Sequence, residues 1–124
     1  MRFLTWKVLM CMFAFDVLGF GRNFARMHRF VSKQKVSPQI PPPNAIERVC
    51  DAVNEACVWY PKRVRCLQRS VVTNYLLRLH GVPAVMVMGA QKVPFKAHAW
   101  TEVAGLPINE RRDVQRIYGV WERC

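Results

Sequence analysis

Pro41, Pro42 and Pro43 stand in a row, and no helix interior or central strand can run through them. Each proline lacks a backbone N–H and fixes its own φ, so the chain must pass this point extended. The surrounding stretch "SKQKVSPQIPPPN", residues 32 to 44, has no apolar periodicity either. Residues 36–44 therefore read as a linker between an N-terminal helical segment, 1–35, and a C-terminal core, 45–124. With 124 residues and 52% hydrophobic content, the two parts together have enough apolar material for one ordinary core, hence one domain overall.

The first segment has two apolar parts joined through "GFG" at 19 to 21, and Phe20, Phe24, Met27 and Val31 recur at helical spacing. Two helices with a glycine break are expected. Arg2 and Lys7 ahead of the run Val8 to Phe15 imitate a secretion signal. The run is too short to span a bilayer, Asp16 closes it, and no A-x-A site follows. "VLMC" at 8 to 11 fails as a lipoprotein signal because the bulky Met10 precedes the cysteine. Five cysteines at 11, 50, 57, 66 and 124, with no C-x-x-C pair, suggest neither a disulfide framework nor a zinc site. A reducing, cytoplasmic location is expected, with no metal and no membrane association.

Beyond the linker, Asn44 and Glu47 have the spacing of a capping box, and Ile46, Val49, Val53 and Ala56 supply the buried stripe of a helix that Pro61 ends. A second helix is predicted in "KRVRCLQRSVVTNYLLRLHG", with Leu67, Val71, Tyr75 and Leu79 as its apolar face and Gly81 at its C-terminal cap. "VPAVMVMGAQ" and "AHAWTEVAG" read as strands joined by a turn around Lys92 and Pro94, "GLP" at 105 to 107 as a turn, and "RIYGVWERC" as a last strand. Helices first and an antiparallel sheet afterwards make the fold class α+β.

Cys66 falls in the first turn of its helix, where unpaired N–H groups favour an anion, and Arg63, Arg65 and Arg69 add positive charge. A thiolate is plausible there, although a free cysteine is most often a small buried apolar residue. His98 lies between Ala97 and Ala99 on a strand, sharing a face with Trp100 and Glu102, so that Trp100 could wall the imidazole. A histidine hydrogen-bonded to backbone on a sheet accounts for the same pattern. A thiol nucleophile needs a base, and the base needs a third group to orient it. Glu110, Asn109 and, more remotely, Asp113 are the candidates; each is equally well read as a surface residue beside Arg111 or Arg112.

Taken together, "CLQRSVVTNYLLRLHGVPAVMVMGAQKVPFKAHAWTEVAGLPINE", from Cys66 to Glu110, resembles the core of the transglutaminase-like leader peptidases of lasso peptide biosynthesis. The shared pattern is C-L-x-R-S opening a helix, G-[IV]-P-A before an apolar strand, P-F-x-A-H-A-W, and G-x-P-[IV]-N-[DE]; the N-terminal tryptophan and "GFGR" are more loosely similar. The resemblance implies a transglutaminase-like, papain-like core and a cysteine peptidase that removes the leader from a ribosomally made precursor. Cys66 maps onto the nucleophile, His98 onto the base and Glu110 onto a position where the family usually has Asp. The extra methylene leaves Asn109 open as the orienter, with Arg69 and Trp100 in supporting places. Implied partners are the lasso precursor leader peptide, a separate leader-recognition protein (a RiPP recognition element), and an asparagine-synthetase-like lasso cyclase. No intrinsic cofactor is implied, and ATP would enter only through that cyclase.

Two other readings remain open. The same residues could serve a transglutaminase-like amidase or acyltransferase acting on another substrate. Nineteen Lys and Arg against eight Asp and Glu give a net charge of +11, which would also suit a non-catalytic module for an anionic partner. Seven of the basic residues lie between Arg2 and Lys35 and seven between Lys62 and Lys96. They are read as lacking interleaved exposed aromatics and any nucleic-acid signature, so no nucleic-acid partner is expected.

Overall fold

A computed structural model of the chain describes residues 3–91, 96–108 and 118–124, and of Trp121 and Glu122 the backbone alone. Four helices come first: α1 (Phe3–Val17), α2 (Phe24–Lys33), α3 (Ala45–Trp59) and α4 (Cys66–Leu79). Four strands follow: β1 (Ala84–Gln91), β2 (Lys96–Val103), β3 (Leu106–Ile108) and β4 (Gly119–Arg123). They form one sheet in the order β3-β2-β1-β4, each neighbouring pair antiparallel. This is the α+β order that the sequence predicts. No helix among the described residues is long and apolar enough to cross a membrane.

The break between α1 and α2 falls at Gly19, whose φ of +70° suits glycine. Asn23 then caps α2 by accepting the Arg26 N–H at 3.1 Å. Phe20, Met27 and Val31 are buried as their spacing predicts, whereas Phe24 faces outward.

The capping box at Asn44 does not form. Asn44 follows the three prolines in the left-handed region, at φ 60° and ψ 27°, and its side chain makes no cap hydrogen bond. An N-cap side chain usually reaches the first-turn N–H groups from an extended backbone, so the turn out of the prolines costs α3 that cap. α3 nevertheless buries Val49, Ala52, Val53 and Ala56, and Tyr60 leaves it extended ahead of Pro61.

α4 departs most from its expected amphipathic form. Leu79 is exposed and Leu67 and Tyr75 are half-buried, while Gln68, Ser70, Thr73, Asn74 and Arg78 are buried. The reason is position: α4 packs against α1 and α3 on one side and against β1 and β2 on the other, so little of its circumference meets solvent. Several of its buried polar groups are matched to carbonyls. Arg78 donates to Ala84 O at 2.8 Å, Val31 O at 2.9 Å and Gln34 O at 2.8 Å, clipping the end of α2 and the start of β1 to the helix. One cluster, including Val8, Met12, Val53, Leu76 and Leu77, fills the space among α1, α3 and α4. A second, including Phe15, Met27, Val71, Met86 and Ala99, fills the space between helices and sheet.

The expected turn at 105 to 107 is shifted toward Ala104 and Gly105, with φ of 54° and 79°. Positive φ at two successive residues is the geometry of a tight type I′ hairpin, so Leu106 and Pro107 already belong to β3. Pro107 is tolerated on that short strand because β3 lies at the sheet edge. The turn expected around Lys92 and Pro94 lies outside the described residues, as do Asn109, Glu110 and Asp113.

Candidate active site

Cys66 is the first residue of α4. Arg65, its N-cap, has an extended backbone and no side-chain cap hydrogen bond, so the first-turn N–H groups are left for other acceptors. One of them, on Leu67, hydrogen-bonds the Cys66 sulfur, and the backbone of Ala99 on β2 supplies another bond. The sulfur also meets the His98 side chain.

The Cys66 thiol is held below its ordinary pKa, foremost by its hydrogen bond with His98; burial opposes the shift, and the Ala99 and Leu67 N–H groups and the charge on His98 reinforce it. The lowering expected from Arg63, Arg65 and Arg69 thus has a different main source. Burial pushes the other helix thiols the opposite way, raising Cys11, Cys50 and Cys57 despite nearby cations. All five cysteines are free thiols, and only Cys66 among these four is poised toward the thiolate.

His98 is seated by two aromatic rings. Its centroid lies 5.8 Å from Trp100 and 5.1 Å from Tyr118, each ring at 27° to the imidazole. Trp100 and Tyr118 themselves are 6.3 Å apart, so the three rings form a triangle rather than a sandwich. Trp100, buried to 2%, is fixed in turn by donating its indole N–H to Glu102 Oε2 at 2.8 Å. Glu102, also buried, faces Arg123 at 3.6 Å, which offsets the cost of a carboxylate in this position.

Glycine makes room for the triangle. Gly89 lies directly across the ladder from His98. A Cβ on it would come within 2.9 Å of Gly119 O, 3.0 Å of Trp100 Cη2 and 3.1 Å of Tyr118 Cβ. The register of β1 against β4 shifts at this same point, between Met88 and Gly89. A lone glycine within an apolar strand is the signal by which such a close approach could have been suspected. Tyr118 had no such signal.

A cavity of about 120 Å³ opens beside the pair, lined by Cys66, Arg69, Ser70, Thr73, His98 and Trp100 among others. It has room for a small side chain or a carbonyl presented to the sulfur. Arg69 is tethered at its wall by a 2.9 Å bond to Asn54 Oδ1. The structure thus brings together Cys66, His98, Trp100 and Arg69 of the predicted residues, while Glu110 and Asn109 fall outside those described. No group of three His, Cys, Asp or Glu side chains suited to a metal ion occurs among the described residues.

A cysteine opening a buried helix, bonded to a histidine on the second strand of an antiparallel sheet, is accompanied by a family match over nearly the whole chain: the profile of the transglutaminase-like superfamily covers residues 9–122. The chain belongs to the transglutaminase-like superfamily. Comparison with curated proteins and with solved structures finds no match.

The matched region of this transglutaminase-like chain takes in most of α1, and the structure shows what that helix does for the site. Asp16, near the end of α1, accepts hydrogen bonds from the Tyr60 hydroxyl and from Gln68 Nε2, and pairs with Lys62 at 2.9 Å. Gln68 Nε2 also donates to Met12 O at 2.9 Å. These contacts fasten the 60–65 loop, which delivers Cys66, to α1. Burial alone would raise the Asp16 carboxyl, but the bonds from Tyr60, Lys62 and Gln68 outweigh it and hold the group below its usual range. Tyr60 is correspondingly pushed up to about 12, by burial first and then by its bond to the Asp16 carboxylate.

Proposed function

We propose that this protein is a cysteine peptidase that removes the leader from a lasso peptide precursor. The observation that carries the catalytic part is the Cys66–His98 pair, with its lowered thiol at the uncovered start of α4. The choice of substrate rests on the ordered residue pattern from Cys66 to Glu110 described above, and membership of the superfamily supports the general class of acyl chemistry.

In this reading the Cys66 thiolate attacks the carbonyl carbon at the leader junction and the C–N bond breaks. The leader is left as a thioester on Cys66. The imidazolium of His98 gives its proton to the departing amine, which is the new N-terminus of the core peptide. His98 then takes a proton from water, and the hydroxide releases the leader carboxylate. The Cys66 backbone N–H, at the positive end of α4, is placed to steady the oxyanion. Glu110 or Asn109 serves as orienter of His98. Leader binding is assigned to a separate recognition protein, and closure of the ring to a cyclase that uses ATP.

The test combines precursor peptide, recognition partner and this protein, wild type or Cys66→Ala, and reads product masses. Leader removal by the wild type alone is expected. Intact precursor in both reactions would refute the assignment, and transfer of the leader to an added amine would favour the acyltransferase reading.

A further inference from the structure

Two cavities lie along the start of α4, and residues 62–70 are divided between them. Val64, Cys66, Arg69 and Ser70 face the small one beside His98. Lys62, Arg63, Arg65, Leu67 and Gln68 face a second, about 600 Å³ in volume, which reaches across to Phe15, Asp16 and Arg22 at the end of α1. Cys66 lines the small cavity, while its two chain neighbours, Arg65 and Leu67, line the larger one. A peptide chain laid over the sulfur has the larger hollow within reach of its next residues.

The charge in that hollow is one-sided. Arg22, Lys62, Arg63 and Arg65 line it against a single carboxylate, Asp16. Asp16 is already engaged by Lys62, Tyr60 and Gln68. The side chains of Arg22, Arg63 and Arg65 make no ion pair or hydrogen bond among the described residues. On a convex surface such residues would be an ordinary solvated face; in a hollow with the apolar walls of Phe15 and Leu67, like charges reinforce one another's field. Guanidinium groups also present paired donors that match a carboxylate in geometry.

We propose that this hollow is a subsite for acidic side chains of the peptide substrate, next to the bond that Cys66 attacks. The proposal rests on the reading of Cys66 and His98 as a peptide-cleaving pair, and it adds a substrate class: peptides with Asp or Glu near the junction. Arg22, Arg63 and Arg65 are its specificity-determining residues, and Lys62 is held back by Asp16.

Binding can be measured apart from turnover. The full chain carrying Cys66→Ala is titrated against fluorescent peptides of one length bearing two Glu, two Gln or two Lys near the junction, by anisotropy at low and high salt. The Glu peptide is expected to bind about tenfold tighter than the Gln peptide at low salt, as two or three partly exposed pairs would produce, with the difference shrinking as salt rises. Adding Arg22→Gln and Arg63→Gln should close that difference, and both positions are exposed enough to leave the fold intact. Equal binding of Glu and Gln peptides, a preference that survives the arginine substitutions, or equally tight binding of an oligonucleotide of the same charge would each overturn the proposal. Those outcomes leave the Cys66–His98 reading standing. Loss of leader removal with the acidic preference intact would do the reverse.

Discussion

Gly89→Ala adds one methyl group beside the rings that seat His98, on the strand position directly across from it. The methyl carbon would lie 2.9 Å from Gly119 O, a backbone atom that no rotamer change can move, and 3.0 Å from Trp100 Cη2. Either β4 must shift or the Trp100 and Tyr118 rings must rise, and His98 rests on both rings. Overpacking of this kind costs about 1–3 kcal/mol of stability. The chemical effect is larger, since a displacement of about 1 Å at a catalytic group can cost about 10²-fold in rate. The hydrogen bond with His98 is the foremost cause of the lowered Cys66 thiol, so weakening it must move that thiol back up toward the ordinary cysteine range.

The assay is the rate of Cys66 alkylation by iodoacetamide as a function of pH, at a temperature well below unfolding. For Gly89→Ala the inflection should move to higher pH, and the rate at neutral pH should fall. Gly119→Ala is the control, because among the described residues a Cβ there would approach nothing closer than Ala90 O at 3.7 Å, an ordinary contact. An inflection unchanged in Gly89→Ala, or one moved equally in both variants, would show that the ring triangle does not position His98.

Three further outcomes are expected. In the wild type, alkylation followed by peptide mapping should find Cys66 labelled below the ordinary thiol pKa and ahead of Cys11, Cys50 and Cys57, whose thiols burial raises; equal rates would contradict an activated thiolate. Of Glu110→Ala and Asn109→Ala, the variant with the greater loss of turnover names the orienter of His98, and full activity in both would exclude an orienter from that segment. Asp16→Asn should destabilise the fold at neutral pH by about 1–2 kcal/mol, a hydrogen-bonded charge discounted for its partial exposure. Because the folded protein lowers the Asp16 carboxyl, its contribution is present above the unfolded pKa and is lost as pH falls through the folded one. The difference in melting temperature between wild type and variant should therefore narrow in acid, and a constant difference would refute this assignment.

What could be read from the residues was mostly local. Alternation in "AHAWTEV" placed His98, Trp100 and Glu102 on one face, and the structure joins them by ring contact and hydrogen bond. Position at a helix start was legible for Cys66, because "PKRVR" breaks the pattern before it. Periodicity misled at α4, since a helix buried on two sides has no single apolar face for a stripe to mark. Asn44 misled for a related reason: cap chemistry can be read from residue type, but the left-handed backbone that disables it is imposed by the turn out of the prolines. Arg123 on β4 and Tyr118 just before it reach the site because β4 pairs with β1, and no spacing in the sequence reports that.

The knot at Asp16 ties residues 44 and 52 positions away along the chain, all of them upstream of the sheet. As a ribosome delivers the chain, α1, α3 and the start of α4 therefore emerge with their own fastening before β2 exists. At that stage the His98 hydrogen bond, the foremost cause of the lowered Cys66 thiol, has yet to form, because it needs β2 in place. The lowering of the Cys66 thiol thus belongs to chains that have completed their sheet.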